Sequence, residues 1–272
     1  MKLTVLVDNI PNEEIGLKSE HGLSFLLQAD DKNILIDVGA TSLFIENSCK
    51  LGVDISQVDY LILSHAHADH VGGLAAFLTI NSKAKIYLSS NVIDRYCYST
   101  RSGVKRDISI QHDLLQLYKE RFILINDNCS VTENVTLICG FPTSHTLPKA
   151  NATLHANDLL DDFSHELAVV VKADNSNATI ISPCSHRGIL NIIDAVKGLK
   201  VTNFIGGLHL LDSDEKNIFE SSDEIHRLAN EISTKGVSLY TGHCTGTVAK
   251  NIFLKILAGY FFEFYSGFTI DI

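Results

Sequence analysis

The densest run of chemistry-bearing side chains is His65-Ala66-His67-Ala68-Asp69-His70, placed directly after the apolar stretch Tyr60-Leu61-Ile62-Leu63. On extended backbone, residues two apart point the same way, so His65 and His67 face one site together. The chain must then turn into a helix starting near Val71, and that turn can aim Asp69 and His70 at a neighbouring point. Gly72-Gly73 permits close backbone approach there, and Ala66 and Ala68 are too small to crowd the site. Neutral imidazole and carboxylate together suit zinc, manganese or iron. Two ligand pairs side by side fit two divalent metal ions. Two such cations would lower the pKa of a bridging water towards about 7, and the resulting hydroxide would attack a carbonyl carbon or phosphorus. Asp69 would bind one metal and orient that hydroxide, so it is the expected catalytic carboxylate. No serine or cysteine nucleophile is then required.

Further candidates stand at the ends of other apolar strands. Ile180-Ile181-Ser182-Pro183-Cys184-Ser185-His186 carries Cys184 and His186 two positions apart, on one side of the chain if it stays extended. The residues alone leave open which of the two is a donor. Arg187-Gly188 then opens a helix, whose N-terminus favours an anion. Gly206-Gly207-Leu208-His209-Leu210 and Tyr240-Thr241-Gly242-His243-Cys244-Thr245-Gly246 put His209 and His243 at two more strand ends. His145, in Ser144-His145-Thr146, is a further candidate whose role the residues leave open. His165, beside Glu166, is a weaker candidate. His21, His112, His155 and His226 have no ligand spacing and read as surface or locally bonded residues.

The elements that must position these groups alternate along the chain. Strands are expected at Leu3 to Val7, Ser24 to Ala29, Ile34 to Asp37, Tyr60 to Leu63, Lys85 to Ser89 and Arg121 to Ile125. Five more follow at Val135 to Cys139, Leu167 to Lys172, Thr179 to Ser182, Asn203 to Gly206 and Ser238 to Thr241. Helices are expected at Ser42 to Leu51, Val71 to Ile80, His112 to Glu120, Gly188 to Leu199, Ser222 to Thr234 and Thr247 to Leu257. Two halves of similar strand-helix character suggest two sheets face to face with helices outside. Residues 91–130 read as an insertion over the active-site face of a single domain spanning 1–272, and Ser144 to Ser164 as irregular. The aromatic tail from Tyr260 to Phe268 fits an edge strand within the monomer or a contact in a homodimer.

Composition narrows the functional classes. The chain has 272 residues, 45% hydrophobic and 20% charged, with a net charge of -10. An acidic chain of this kind is a poor nucleic-acid binder, because neutralising phosphates needs a basic face. No apolar run is long enough for a membrane helix. The N-terminus is too polar for a signal peptide, and the six cysteines form no C-x-x-C pair. A cytoplasmic protein with reduced thiols is expected. One stretch departs from the acidic average: Arg95, Arg101, Lys105 and Arg106 lie together with Tyr96 and Tyr98. Cationic groups near a metal edge suit a small anionic substrate such as a phosphate, and tyrosines suit a flat ring.

His65-x-His67-x-Asp69-His70 between an apolar strand and Gly72-Gly73 resembles the signature of the metallo-β-lactamase superfamily. That resemblance implies a four-layer αββα sandwich, two mixed sheets with helices outside, and a one- or two-metal site at one edge. It implies that His243 is the last metal ligand and that Cys184 occupies the slot of a bridging aspartate or cysteine. The donors expected from residues and resemblance together are His65, His67, Asp69, His70, Cys184, His186 and His243. Arg187 and His209 are expected to face substrate, as is His145 if His186 takes the third-ligand place that the Ser144-His145-Thr146 turn resembles. A thiolate at Cys184 shifts the expected metal towards zinc. Five segments are together similar to the branch named for a dihydropterin synthase of the methanopterin pathway: His21 to Leu27, Leu35 to Gly39, Cys184 to Gly188, Gly206 to Leu210 and Tyr240 to Gly246. Ser144-His145-Thr146 departs from that branch, which has an acidic residue in a Thr-Gly-Glu-like turn.

The expected activity is metal-dependent hydrolysis of a small anionic ester, a phosphoester or similar. A pterin-related synthase or lyase using the same metals is one alternative. A non-catalytic metal-binding or redox protein is another, although a redox role would need a flavin partner or domain, and the chain has no evident Gly-rich nucleotide loop.

Overall fold

The computed structural model describes residues 1–211 and 219–272. Two seven-stranded sheets form its centre. In the first, Lys2–Val7, Ser24–Ala29 and Lys32–Ile36 make an antiparallel meander. Tyr60–Ile62, Lys85–Ser89 and Phe122–Ile125 continue it in parallel. In the second, Cys129–Ser130, Val135–Ile138, Ala168–Lys172 and Asn177–Ile181 are antiparallel. Lys200–Ile205, Ser238–Thr241 and Phe261–Glu263 extend that sheet in parallel. The aromatic tail serves both sheets, because after Phe261–Glu263 the chain crosses over and Thr269–Asp271 pairs with Lys2–Val7. It therefore supplies edge strands within the monomer.

Alternation along each strand decides which layer a side chain joins. Ile34 and Ile36 point between the sheets with Phe25, Leu27, Val169, Val171, Ile181, Ile205 and Phe264. Leu35, between them in sequence, points outward to Leu26, Leu61, Phe44 and Phe77 under the helices Leu43–Lys50 and Leu74–Ile80. On the far side, Phe204 and Ile180 pack under Ile189–Ala195, Ser222–Lys235 and Thr247–Leu257 through Ile192, Ile225, Ile232 and Phe253. Strands buried on both faces are apolar throughout, which is why Tyr60-Leu61-Ile62-Leu63 is a continuous run. The result is the expected αββα sandwich. No helix among the described residues is long and apolar enough to cross a membrane.

Three local expectations need correction. The helix expected from Val71 to Ile80 is two pieces, Ala68–Val71 and Leu74–Ile80. Gly72 and Gly73 separate them, and a Cβ on either would overlap the carbonyl oxygens of Ala40 or Val38, so the break is a close backbone crossing. The stretch 91–130 is not one insertion, since Phe122–Ile125 and Cys129–Ser130 belong to the main sheets. Its first part, Cys97–Ser99 and Arg106–Asp107, joins Leu154–Ala156 and Leu159–Leu160 in a small four-stranded sheet. Part of the supposedly irregular segment from Ser144 to Ser164 is therefore paired.

Candidate metal centre

The two sheets deliver their functional residues from the C-terminal ends of parallel strands, where open α/β sheets place ligands. Asp37 follows Lys32–Ile36, and Ser64 to His70 follow Tyr60–Ile62. Cys184 and His186 follow Asn177–Ile181, His209 follows Lys200–Ile205, and His243 and Cys244 follow Ser238–Thr241. Asp37, Ser185, His209 and His243 all have positive φ, at 58°, 56°, 51° and 40°. Non-glycine residues adopt that conformation at a cost of about 1–3 kcal/mol each, so the backbone is held in sharp turns around one point.

Seven of the expected residues converge. The potential donor atoms of His65, His67 and His186 lie within 4.8 Å of one another. Beside them, Asp69 Oδ2 is 3.6 Å from His70 Nε2 and 3.5 Å from His243 Nε2. Cys184 Sγ is 3.1 Å from His70 Nε2 and also groups with His65. Cys184 thus lies between the two sets, and both Cys184 and His186 join the cluster. His209 comes within reach of Cys184 and His186, its ring centroid 4.2 Å from that of His186.

The rings are oriented from behind. His70 Nδ1 is 2.7 Å from Asp37 Oδ2, and His65 Nδ1 is 2.7 Å from Ser64 Oγ. Ser64 donates its hydroxyl to Asp37 Oδ2 and its amide to Asp37 Oδ1, both at 2.7 Å. His186 Nδ1 meets Asn151 Oδ1 at 3.0 Å, and the ring lies flat on Phe163 with centroids 4.5 Å apart. His243 Nδ1 meets Asn9 Oδ1 at 2.9 Å, and its amide donates to Asp8 Oδ1 at 2.7 Å. An acceptor at each Nδ1 assigns the proton there and leaves Nε2 with a lone pair facing inward. Nε2 of His65, His67, His186 and His243 is buried without a hydrogen-bond partner. Orphaned buried polar atoms cost about 1–3 kcal/mol each, so three of them in one cluster and the fourth beside Asp69 fit divalent metals.

Electrostatics agree with the first donor set. At His243 burial lowers the pKa, but Cys244 and Asp69 outweigh it and raise it to about 9, so a bound ion there must displace a proton. Burial, followed by the neighbouring His70 and His67 rings, pushes His65 well below its ordinary pKa. Burial and the His209 ring do the same to His186, so both are neutral and able to ligate. Burial raises the Asp69 carboxyl, but His70, His243 and His21 outweigh it and hold the group well below the usual carboxylate range. Burial drives Glu166 up to about 7, even though it accepts the amides of His186 and Arg187 at 2.8 and 2.7 Å.

A cavity of about 670 Å³ opens onto these residues, bordered by His67, Asp69, Cys184, His186 and His209. Arg101, Arg106, Ser99 and Ser102 from the small sheet form a cationic, polar wall, while Ile108, Leu154 and Leu211 form an apolar one. The other two cations of that segment point elsewhere. Arg95 is tied to Asp161 and Asp162 at 2.6 and 2.9 Å, and Lys105 to Asp158 at 3.0 Å.

Two expected substrate residues lie outside this cavity. His145 meets Asp194 Oδ2 at 2.9 Å and borders a separate groove with Thr146, Lys149 and Glu231. Its turn is drawn there because Asn191, on the helix Ile189–Ala195, bonds both its amide and its carbonyl. Arg187 donates to the carbonyls of Asp162 and Phe141, so its guanidinium braces two loops.

Other residues take part that their spacing did not single out. His21 is not a plain surface residue: its Nε2 is 3.4 Å from Asp69 Oδ2 and its ring stacks on His243 at 5.2 Å. His112, His155 and His226 are local, on Arg95 O, the Tyr98 ring and Ser222 O respectively. Asp161 Oδ2 lies 3.2 Å from His165 Nε2 and 3.9 Å from His67 Nε2, behind the first donor set. Cys244 Sγ lies 3.4 Å from Cys184 Sγ. His243-Cys244 was visible as a neighbour pair, but nothing in its spacing pointed to the thiol.

Two sheets, outer helices and a strand-end cluster of histidine, aspartate and cysteine define the class: this is the metallo-β-lactamase fold. Residues 19–91 match the family model described as the metallo-beta-lactamase superfamily. A solved metal-dependent hydrolase of the β-lactamase superfamily is 26% identical, with a TM-score of 0.82, covering 100% of this chain and 99% of its own. This chain is thus similar to that superfamily in the matched segment and to the solved hydrolase along its whole length. Among curated proteins, the chain is similar to 7,8-dihydropterin-6-methyl-4-(beta-D-ribofuranosyl)-aminobenzene-5'-phosphate synthase of Methanocaldococcus jannaschii. The two are 25% identical over 94% of this chain and 91% of that protein. An uncharacterized protein of the same organism is 24% identical over 90% of each chain.

Proposed function

We propose that this chain is a metal-dependent hydrolase of a small anionic ester, a phosphoester or a similar compound. The observation that carries the reading is the set of inward-facing, unpartnered Nε2 atoms on His65, His67, His186 and His243 beside a cavity walled by Arg101 and Arg106. The solved relative described as a metal-dependent hydrolase supports it. His65, His67 and His186 would hold one divalent ion, and Asp69, His70, His243 and Cys184 a second. Cys184 makes zinc the favoured metal, ahead of manganese or iron. When bound, the pair supplies a water activated at neutral pH and polarises the scissile bond.

The remaining work falls to this chain's own groups. Asp37, Ser64, Asn151 and Asn9 hold the rings in the tautomer that leaves Nε2 unprotonated. Asp69 stays ionised at the cavity mouth and orients the attacking water. Arg106 and Arg101 bind the anionic group, while His209 faces the bound ester from the strand Lys200–Ile205. Leu154, Ile108 and Leu211 exclude water around the substrate body.

Likeness to the M. jannaschii synthase over most of both chains favours a second reading, in which the same metals serve a pterin-related condensation or lyase step. A screen of the zinc- and manganese-loaded protein on chromogenic phosphomonoesters, phosphodiesters and neutral esters decides between them. Hydrolysis of an anionic ester, with KM raised about tenfold by Arg106→Ala at little change in kcat, is expected for loss of one charge-assisted contact. Turnover of neutral esters alone, or none at all with metal bound, would refute the anionic-ester reading.

A further inference from the structure

We propose that Cys184 and Cys244 are a redox-active dithiol, closed to a disulfide by a small peroxide entering the metal cavity. The two residues are sixty positions apart and sit at the ends of Asn177–Ile181 and Ser238–Thr241, strands separated by Lys200–Ile205. Their sulfurs are nevertheless 3.4 Å apart. The intervening strand makes this contact available by ending in Gly206-Gly207. A Cβ on Gly207 would stand 2.5 Å from Cys244 Sγ and 2.7 Å from the Pro183 carbonyl oxygen. Cys244 Sγ also accepts the His209 amide at 3.3 Å, which fixes it against its partner. Each thiol is nearly buried, at 3% and 4% exposure, yet both border the 670 Å³ cavity. A small solute therefore reaches them, and a protein reductant does not.

The contact is short of a bond. A disulfide needs the sulfurs about 2.05 Å apart, a closure of about 1.35 Å from the 3.4 Å contact. In the first step one sulfur attacks the peroxide, an S–O bond forms, the O–O bond breaks, and water or an alcohol leaves. In the second, the other sulfur attacks the sulfenic sulfur. The S–S bond forms, the S–O bond breaks, and water leaves carrying that thiol's proton. Two thiols lose two electrons in total and one peroxide gains them. Cys184 is also the sulfur facing His70, so closure removes a donor from the second set. That consequence rests on the metal reading above, whereas the disulfide itself does not.

The test is non-reducing peptide mapping of the full chain, metal-free and zinc-loaded, after hydrogen peroxide. The expected result is a Cys184–Cys244 linked peptide, two hydrogens lighter than the free pair, with two of the six thiols lost and recovered by dithiothreitol. Cys244→Ser is expected to give no linked peptide and to let Cys184 run on to sulfinic acid, which dithiothreitol does not reverse. In the zinc-loaded protein, the linked form is expected to release one ion per chain and to rebind it after reduction. A linked peptide without zinc release would leave the dithiol standing and overturn Cys184 as a ligand. Peroxide that oxidises the exposed Cys49 while Cys184 and Cys244 stay unlinked in both forms would overturn the dithiol and leave the metal reading untouched.

Discussion

Asp37→Asn isolates the orienting network from the donors themselves. Asp37 is completely buried and accepts three hydrogen bonds at 2.7 Å: the Ser64 amide on Oδ1, and the Ser64 hydroxyl and His70 Nδ1 on Oδ2. Asparagine keeps the shape and one oxygen, which the Ser64 amide retains. Its NH2 then stands where Oδ2 received two donors. The Ser64 hydroxyl can rotate away, but the His70 ring has no such freedom. Either it loses its partner, or its proton moves to Nε2 and removes the inward lone pair. A hydrogen bond to a charged group contributes about 1.5–3 kcal/mol, equivalent to roughly 10- to 150-fold in a dissociation constant. Metal affinity at the set containing His70 should fall by that factor. The first set should weaken less, because His65 is reached only through Ser64. Competition against a chromophoric chelator measures both constants, and thermal unfolding in excess chelator checks that the metal-free fold is retained. Two constants within twofold of wild type, in a folded protein, would refute the claim that Asp37 sets the His70 tautomer.

Other consequences concern the frame. Glu224 closes a capping box with Ser221 and pairs with Lys149, and these partners hold its carboxyl at about 2 against an ordinary 4.5. A depressed carboxylate stabilises the fold above the unfolded pKa and loses that contribution as pH falls through the folded value. Glu224→Gln should therefore be less stable than wild type near neutral pH, by under about 1 kcal/mol for so exposed a group. In urea titrations the gap should narrow as pH falls from 4.5 towards about 2, and a gap that widens would contradict the assignment. Gly206 has φ 145°, and a Cβ there would overlap the Ser182 carbonyl oxygen. Gly206→Ala should destabilise by more than about 1 kcal/mol, and an unchanged denaturation midpoint would show that the loop yields more easily than its packing suggests.

Much of the frame was legible because each layer has its own period. The strands Ser24–Ala29, Lys85–Ser89 and Ser238–Thr241 and the helix Thr247–Leu257 fall where hydrophobic periodicity puts them. His65 to His70 was legible because its donors are close in sequence and its strand is unmistakable. What stayed hidden depends on distant chain segments meeting. His21 reaches Asp69 only because the loop after Lys2–Val7 folds over the strand ends. Asp161 stands behind His67 only because the small sheet pairs 97–99 with 154–156. His145 shows the converse: its Ser-His-Thr setting fits a ligand, but tertiary bonds to Asn191 and Asp194 turn it into another groove.

If two donor sets, built from both sheets, each hold a divalent ion, metal content must follow the donors one ion at a time. Elemental analysis of the wild-type chain beside His186→Ala and His243→Ala, all loaded and dialysed in parallel, tests it most directly. About two ions per chain are expected in the wild type and about one in each variant, with the same folded spectrum. No bound metal in the wild type, after loading with zinc, manganese or iron, would contradict it.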